Sequence, residues 1–123
     1  MYLVGAAHPH KTDSQLLLER LIARGERLVT DTEVLQEILH RYTAIGKREA
    51  IDAAMQAILA MADEVFAIEK RDALRAAEIV KQSAMSARDA LHIAIMERYK
   101  ISSILSFDAD FDRWPGLTRS QGF

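Results

Sequence analysis

Cysteine is absent from this chain of 123 residues, so neither a disulfide framework nor a cysteine-ligated zinc site can form. That absence fits a reducing compartment, and we expect a cytoplasmic protein. No apolar run approaches the roughly 20 residues that a membrane-spanning helix needs, and we find no signal peptide. The net charge of −2 provides no global basic field, so a nucleic acid would have to meet a local basic patch. Glycine-rich phosphate loops and the common zinc-protease and serine-hydrolase motifs are also missing.

What is present indicates a globular protein. Hydrophobic residues make up 50% of the chain and charged residues 28%, which is the balance of a folded domain rather than a disordered segment. The length is typical of one domain, and no repeat, low-complexity tract or linker divides it. We therefore predict a single domain over residues 1–123.

Helical and strand patterns alternate along the chain. Apolar residues at helical spacing predict helices over residues 12–26, 30–46, 47–62, 69–82 and 85–100. Short apolar segments between them predict strands over residues 27–30, 64–68 and 101–106. Alternating elements of this kind favour a three-layer α/β/α fold around a short parallel sheet. In such folds, functional sites form at the carboxyl ends of the strands.

Four acidic residues fall near that edge of the predicted sheet. Asp108 follows the last predicted strand by two residues, and Asp89 lies in the first turn of the preceding helix. Glu33 and Glu37 lie one turn apart on the helix that follows the first predicted strand, so they share a face. Converging carboxylates repel one another unless a cation joins them, and oxygen ligands suit Mg²⁺ or Mn²⁺. Such an ion can activate water and neutralise charge that builds on a phosphate.

Helix capping is the alternative explanation for two of these acids. Glu33 follows Thr30 by three residues, and Asp89 follows Ser86 by three residues, which is the spacing of a capping box. Glu37 has a different structural alternative, because Arg41 lies four residues further on and could pair with it.

The remaining polar candidates are weaker. Asp110 and Asp112 alternate with Asp108, but solvated loop charges explain such residues equally well, Asp112 above all. A calcium loop of the EF-hand type fails, because positions six and twelve from Asp108 hold Arg113 and Arg119 rather than glycine and glutamate.

Histidines add little to this pattern. His8 and His10 flank a proline, which is typical of an exposed turn, although they could serve as metal ligands. His92 follows Asp89 by three residues and could join a metal site. A core histidine, or one that supports the metal ligands from behind, is the interpretation we favour.

Three segments together resemble the PIN-domain ribonucleases of the VapC toxin type. "TEVLQEILHRY" resembles the second acidic motif of that family, and its glutamate maps to Glu37. "SARDALHIA" resembles the third motif, which maps to Asp89. "ILSFDADF" resembles the fourth, which maps to Asp108 with Asp110 as an accessory acid, while Ser106 takes the hydroxyl position. The similarity runs from about Tyr2 to about Leu117.

The resemblance implies a metal-dependent endoribonuclease. Glu37, Asp89 and Asp108 would be the catalytic residues and, with Asp110, would hold one or two Mg²⁺ or Mn²⁺ ions. The implied substrate is structured RNA such as tRNA, and its cleavage would leave a 5′-phosphate and a 3′-hydroxyl. The resemblance also implies a homodimer and a small antitoxin partner that inserts an arginine into the acidic pocket. Arg88, Lys47 and Arg48 are candidate contacts for the RNA backbone.

One departure from the family concerns the start of the chain. The family opens with a strand that ends in an aspartate, and Tyr2–Gly5 resembles the helix that follows it. We therefore expect the N-terminal strand and its aspartate to be absent, with a gap in the sheet; Asp13 is no substitute. A start assigned too late and a degraded site are the two explanations, and we favour the first. A catalytically impaired protein-binding module is thus the alternative function, and a nuclease acting on DNA is a lesser one.

Overall fold

Among the residues that the structure describes, five short parallel strands form one central sheet. A computed structural model of the chain describes residues 1–5, 19–106 and 109–120. The strands are β1 (Tyr2–Val4), β2 (Leu28–Asp31), β3 (Glu64–Phe66), β4 (Ser103–Leu105) and β5 (Thr118–Ser120). They pair in the order β3-β2-β1-β4-β5, and every pair is parallel.

Helices connect the strands. They are α1 (helical over residues 19–23 of the described part), α2 (Thr32–Ala44), α3 (Ile51–Met61), α4 (Lys70–Gln82) and α5 (Ala87–Tyr99). Two 3₁₀ helices, Arg48–Ala50 and Ala109–Arg113, precede α3 and β5. None of the helices in the described ranges is both long and apolar enough to cross a membrane.

Two apolar clusters show the three layers of the fold. Because side chains alternate along a strand, neighbouring residues of β1 face opposite layers. Leu3 belongs to the cluster that α4 and α5 cover, and Val4 to the cluster that α2 and α3 cover. Ile79 and Ile93 fill the first cluster, and both are almost completely buried. The predicted three-layer α/β/α arrangement around a parallel sheet is confirmed.

The prediction that the N-terminal strand is absent is wrong. Residues Tyr2–Val4 form β1, which lies at the centre of the sheet between β2 and β4. Leu3 pairs with Val29 on one side and with Ile104 on the other, so no gap separates β2 from β4. Leu3 and Val4 are apolar and buried, and a central parallel strand requires such residues on both faces. Residues Tyr2–Val4, which we compared with a helix of the family, are a strand in this chain.

The start of α2 differs from the prediction by one residue. Asp31 is the N-cap, and its carboxylate accepts a hydrogen bond from the Val34 amide at 3.2 Å. Thr30, the predicted cap, is the penultimate residue of β2, and its hydroxyl donates to the Val4 carbonyl at 2.8 Å. Aspartate caps helices at least as well as threonine, and this shift places Asp31 at the carboxyl end of β2.

Candidate active site

Three neighbouring strands end at one edge of the sheet, and different residues follow them. β2 ends at Asp31, Gly5 follows β1, and Ser106 follows β4. Continuing the pairing of Leu3 with its partners by two residues places Gly5 between Asp31 and Ser106. The structure therefore has glycine at the end of the central strand, where the family resemblance calls for an aspartate.

Asp89 lies in the first turn of α5. The Ser86 side chain caps this helix by accepting a hydrogen bond from the Asp89 amide at 3.2 Å, so Ser86 has the predicted capping role. The Asp89 side chain is buried, with 8% of the residue exposed. Burial of a carboxylate is unfavourable unless a partner offsets its charge, and this cost distinguishes Asp89 from an ordinary first-turn acid on a helix surface.

Glu37 lies on α2 and approaches α5. Its carboxylate is 3.1 Å from the guanidinium of Arg88, the residue before Asp89. The Glu37 side chain is 17% exposed, whereas that of Arg88 is 55% exposed. The ion pair between Glu37 and Arg88 thus joins α2 to α5.

A buried histidine lies among these acids. His92 Nδ1 is 2.6 Å from Asp31 Oδ2, and the two side chains are 2% and 0% exposed. Burial lowers the pKa of His92. The charge of Asp31 and its hydrogen bond raise the pKa, and the charges of Glu37 and Asp89 add to that rise. The net pKa of His92 is therefore raised, which favours the imidazolium form.

The pKa of Glu33 is affected by the same negatively charged groups. Burial raises the pKa of Glu33, the cation of His92 opposes this rise, and the carboxylates of Asp31 and Glu37 raise the pKa further. The residue is only 9% exposed. Four acids from two helices and a strand end, namely Asp31, Glu33, Glu37 and Asp89, thus lie within electrostatic reach of His92 or of one another. We call these four acids and His92 the acidic cluster.

The other predicted acids lie elsewhere or outside the described ranges. Asp108 falls outside the described residues, as do His8 and His10. Asp110 lies in the 3₁₀ helix that precedes β5, with its side chain half exposed and 3.7 Å from Arg113. Asp112 is bound by Arg119 through two hydrogen bonds of 2.9 Å, which lower its pKa. Asp112 is therefore part of an ion pair rather than a merely solvated charge.

The acidic cluster has the donor chemistry of a site for a hard cation. Within residues 1–5, 19–106 and 109–120, no three histidine or acidic side chains are close enough to hold a metal ion. Glu37 and Asp89 nevertheless supply carboxylate oxygens from two facing helices, and oxygen donors suit Mg²⁺ or Mn²⁺. The residues fit such an ion if a third carboxylate joins them, and Asp108 follows the neighbouring strand β4 by three residues.

Sequence reasoning missed Asp31. The signal was available, because the rule that drew attention to Asp108, an acid at the end of an apolar strand, applies equally to Asp31. The predicted strand ends at Thr30, one residue before the end of β2, so Asp31 falls within the predicted helix. His92 was correctly placed among the core histidines, but its partner could not be named without the sheet order.

An open groove adjoins the acidic cluster. Its volume is about 600 Å³, and it follows the exposed side of α2 from Glu37 and Arg88 towards the end of the helix. Its lining combines cationic, polar and apolar side chains: Gln36, Glu37, His40, Arg41, Ala44, Ile45 and Arg88.

Comparison with known proteins yields one consistent family. The model of the PIN domain matches residues 1–117. A VapC ribonuclease of Mycobacterium bovis and ribonuclease VapC13 of Mycobacterium tuberculosis are each 55% identical over 120 residues, which is 97% of this chain and 92% of theirs. Ribonuclease VapC23 of Mycobacterium tuberculosis is 32% identical over 109 residues, 88% of this chain and 86% of its own.

Solved structures agree on the fold. VapC20 of Mycobacterium tuberculosis, described as a toxin that cleaves the sarcin-ricin loop, superimposes with a TM-score of 0.69 at 22% identity, covering 91% of this chain and 93% of its own. VapBC2 of Rickettsia felis, solved with a DNA fragment of its promoter, gives a TM-score of 0.70 at 15% identity, covering 97% and 96%.

Proposed function

We propose that this chain, which belongs to the PIN-domain family and is related to its VapC ribonucleases, is a metal-dependent endoribonuclease toxin. The observation that carries the proposal is the approach of Glu37 on α2 to the start of α5, where it pairs with Arg88, the neighbour of the buried Asp89. The curated relatives with which the chain shares its family are named ribonucleases. The substrate is RNA, and the bond cut is its phosphodiester.

Glu37, Asp89 and Asp108 are the proposed catalytic residues, and with Asp110 they are the proposed ligands of Mg²⁺ or Mn²⁺. A bound ion would activate water and neutralise charge on the phosphate that is attacked. The chain contributes the rest. The burial of Asp89 limits access of bulk water to its carboxylate, and the ion pair with Arg88 places the Glu37 carboxylate beside the first turn of α5.

The groove beside α2 is the proposed path of the RNA strand. It begins at Glu37, so a strand lying in it would pass the metal ligands. Arg88 and Arg41 line the groove, and Lys47 and Arg48 follow the end of α2 as further cations. Phosphate contacts of this kind fix the position of a nucleic acid without reading its sequence.

Two protein partners also belong to this proposal. Relatives of this fold include a VapBC pair and a toxin–antitoxin complex from Klebsiella pneumoniae, which supports a small antitoxin partner for this chain. A second copy of the chain is the other proposed partner.

The substitution Asp89→Asn tests the activity. Asp52→Asn is a matched control, because Asp52 lies in the first turn of α3 as an exposed acid. We expect the purified chain to cut labelled RNA in Mn²⁺, Asp89→Asn to lower the rate by at least about 100-fold, and Asp52→Asn to leave it unchanged. Equal cleavage rates in the wild type and both variants would show that Asp89 is not a catalytic residue.

The glycine at the end of β1 favours a second function. If the first acid of the family is needed for the site, this chain would keep the fold and bind partners without cutting RNA. Absence of cleavage by the wild-type chain in Mg²⁺ and Mn²⁺, together with full binding of RNA or of an antitoxin, would support this binding module over the enzyme.

A further inference from the structure

The buried contact between Asp31 and His92 has no role in the proposed chemistry, yet it is costly to form. Both side chains are at least 98% buried, and the two atoms that meet, His92 Nδ1 and Asp31 Oδ2, are 2.6 Å apart. Removing a charged group from water costs on the order of several kcal/mol, and buried ion pairs often stabilise a fold less than apolar residues of similar volume would. Stability alone is thus a poor explanation for this pair.

Asp31 uses its two carboxylate oxygens on two different elements. Oδ1 accepts a hydrogen bond from the Val34 amide and begins α2, while Oδ2 meets His92 on α5. One carboxylate therefore fixes where α2 starts and how that start lies against α5. We call this contact the Asp31–His92 bridge.

The bridge lies between the two helices that carry the proposed ligands. Asp89 is three residues before His92 on α5, so the two residues share a face of that helix. Glu37 is on α2, and the charges of Glu37 and Asp89 both act on the His92 ring. A shift of α2 against α5 would therefore change the distance between Glu37 and Asp89 directly.

We propose that Asp31 and His92 are positioning residues, which hold α2 against α5 so that Glu37 and Asp89 present their carboxylates to the same divalent cation. This inference rests on the proposed function, because it assigns the bridge a purpose within that site. Neither residue is assigned as a ligand: Asp31 is occupied by Val34 and His92, and His92 Nδ1 is occupied by Asp31.

Binding of Mn²⁺ alone, followed by electron paramagnetic resonance of the free ion, tests the inference. Asp31→Ser keeps an N-cap oxygen but is too short to reach His92, whereas Asp31→Asn keeps both the cap and a group that can hydrogen-bond to the ring. We expect Asp31→Ser and His92→Gln each to weaken Mn²⁺ binding by roughly tenfold, as loss of a ligand-orienting partner does elsewhere. The double variant should be no weaker than either single variant, and Asp31→Asn should recover part of the loss.

Asp72→Asn is the matched control. Asp72 is 2% exposed and binds Arg98 of α5 at 2.8 Å, so it also joins a neighbouring helix to α5. We expect Asp72→Asn to lower the thermal midpoint and leave Mn²⁺ affinity unchanged. Normal Mn²⁺ affinity in folded Asp31→Ser, or an equal loss in Asp72→Asn, would overturn the positioning role.

A metal-free measurement separates this inference from the proposed function. If the wild-type chain binds no Mn²⁺, the metal proposal fails, and the bridge is then judged by backbone amide shifts in nuclear magnetic resonance. Positioning predicts shift changes at Glu37 and Asp89 in both Asp31→Ser and His92→Gln, and none there in Asp72→Asn. Unchanged shifts at Glu37 and Asp89 would refute the bridge on their own.

Discussion

At the scale of single residues, the main feature is the compensation of buried carboxylate charge by His92. Desolvation is the largest influence on the pKa of the buried His92 and lowers it, but the charge and hydrogen bond of Asp31, together with the charges of Glu37 and Asp89, raise the pKa overall. Without that cation, Asp31 and Asp89 would be buried acids beside two further carboxylates. The histidine therefore stabilises negative charge in the place where a divalent cation is proposed to bind.

The pH dependence of stability follows from the raised pKa of His92. A group with a raised pKa in the folded state contributes stability that is complete below its unfolded pKa, near 6.5, and is lost as pH rises through the folded value. We expect the free energy of unfolding, measured with urea, to fall between pH 6 and pH 8. Glu33, whose pKa is also raised, acts in the same direction at lower pH.

Asp31→Asn provides the control for this dependence. The substitution removes the charge that raises the pKa of His92, while burial still lowers it. We expect a loss of about 1.5–3 kcal/mol at pH 6, as for a hydrogen bond to a charged group, and a flat or rising profile from pH 6 to pH 8. The other charged groups near His92 are unchanged in this variant: Glu33, Glu37, Arg88 and Asp89. A variant profile parallel to the wild type would contradict the assignment.

At the scale of elements, the central strand decides what the sheet edge can offer. β1 ends in Gly5, whose amide donates to the Leu105 carbonyl at 3.0 Å. A Cβ atom at this position would meet the Ile104 Cδ1 atom at 3.2 Å. Ile104 is completely buried, so its side chain must shift by a few tenths of an ångström to admit a larger residue.

Gly5→Asp is expected to strengthen metal binding. The new carboxylate would lie between Asp31 and Ser106, at the centre of the strand ends. We expect Mn²⁺ affinity to rise on the order of tenfold, since affinity follows the number of charged ligands. Gly5→Asn adds the same volume without charge and should leave affinity unchanged.

Repulsion gives this prediction a second measurement. Without metal, Gly5→Asp places another carboxylate beside Asp31, so its thermal midpoint should lie below that of Gly5→Asn. Mn²⁺ should reverse the order of the two variants. The same midpoint in both variants, with and without Mn²⁺, would show that residue 5 does not face the acidic cluster.

Apolar periodicity predicted α2 to α5 and the strands β2 to β4 to within a few residues. The predicted helix over residues 12–26 is described only from residue 19. β1 was missed because Tyr2–Val4 was compared with a helix of the family, and β5 because Thr118–Ser120 has no apolar residue. The pairing of both strands depends on partners that are distant in the sequence. Asp31 was missed for the same physical reason, since its role depends on His92, 61 residues away.

At the scale of the whole molecule, charge is local rather than global. The net charge of −2 cannot attract RNA from a distance. Affinity for RNA must then come from a few cations near the groove beside α2, and each contributes a phosphate contact that salt weakens.

Arg88→Gln tests this local contribution. We expect weaker binding to single-stranded RNA of any sequence, and a salt slope, the change of log affinity with log salt, reduced by about 1. Arg71→Gln is the control, because Arg71 is an exposed arginine of α4 that pairs with Glu69. Fluorescence anisotropy between 50 and 200 mM salt measures both variants. An identical reduction for Arg71 would mean that the groove has no special part in binding.

The ion pair between Arg88 and Glu37 has a consequence for the order of events. A half-exposed ion pair contributes only about 0–1 kcal/mol, so either partner can be drawn away easily. A phosphate that recruits the guanidinium leaves Glu37 available to a cation, and a cation on Glu37 leaves the guanidinium available to a phosphate. By thermodynamic reciprocity, nucleic acid and divalent ion would then strengthen each other's binding. Before either binds, Arg88 and Glu37 neutralise each other's charge.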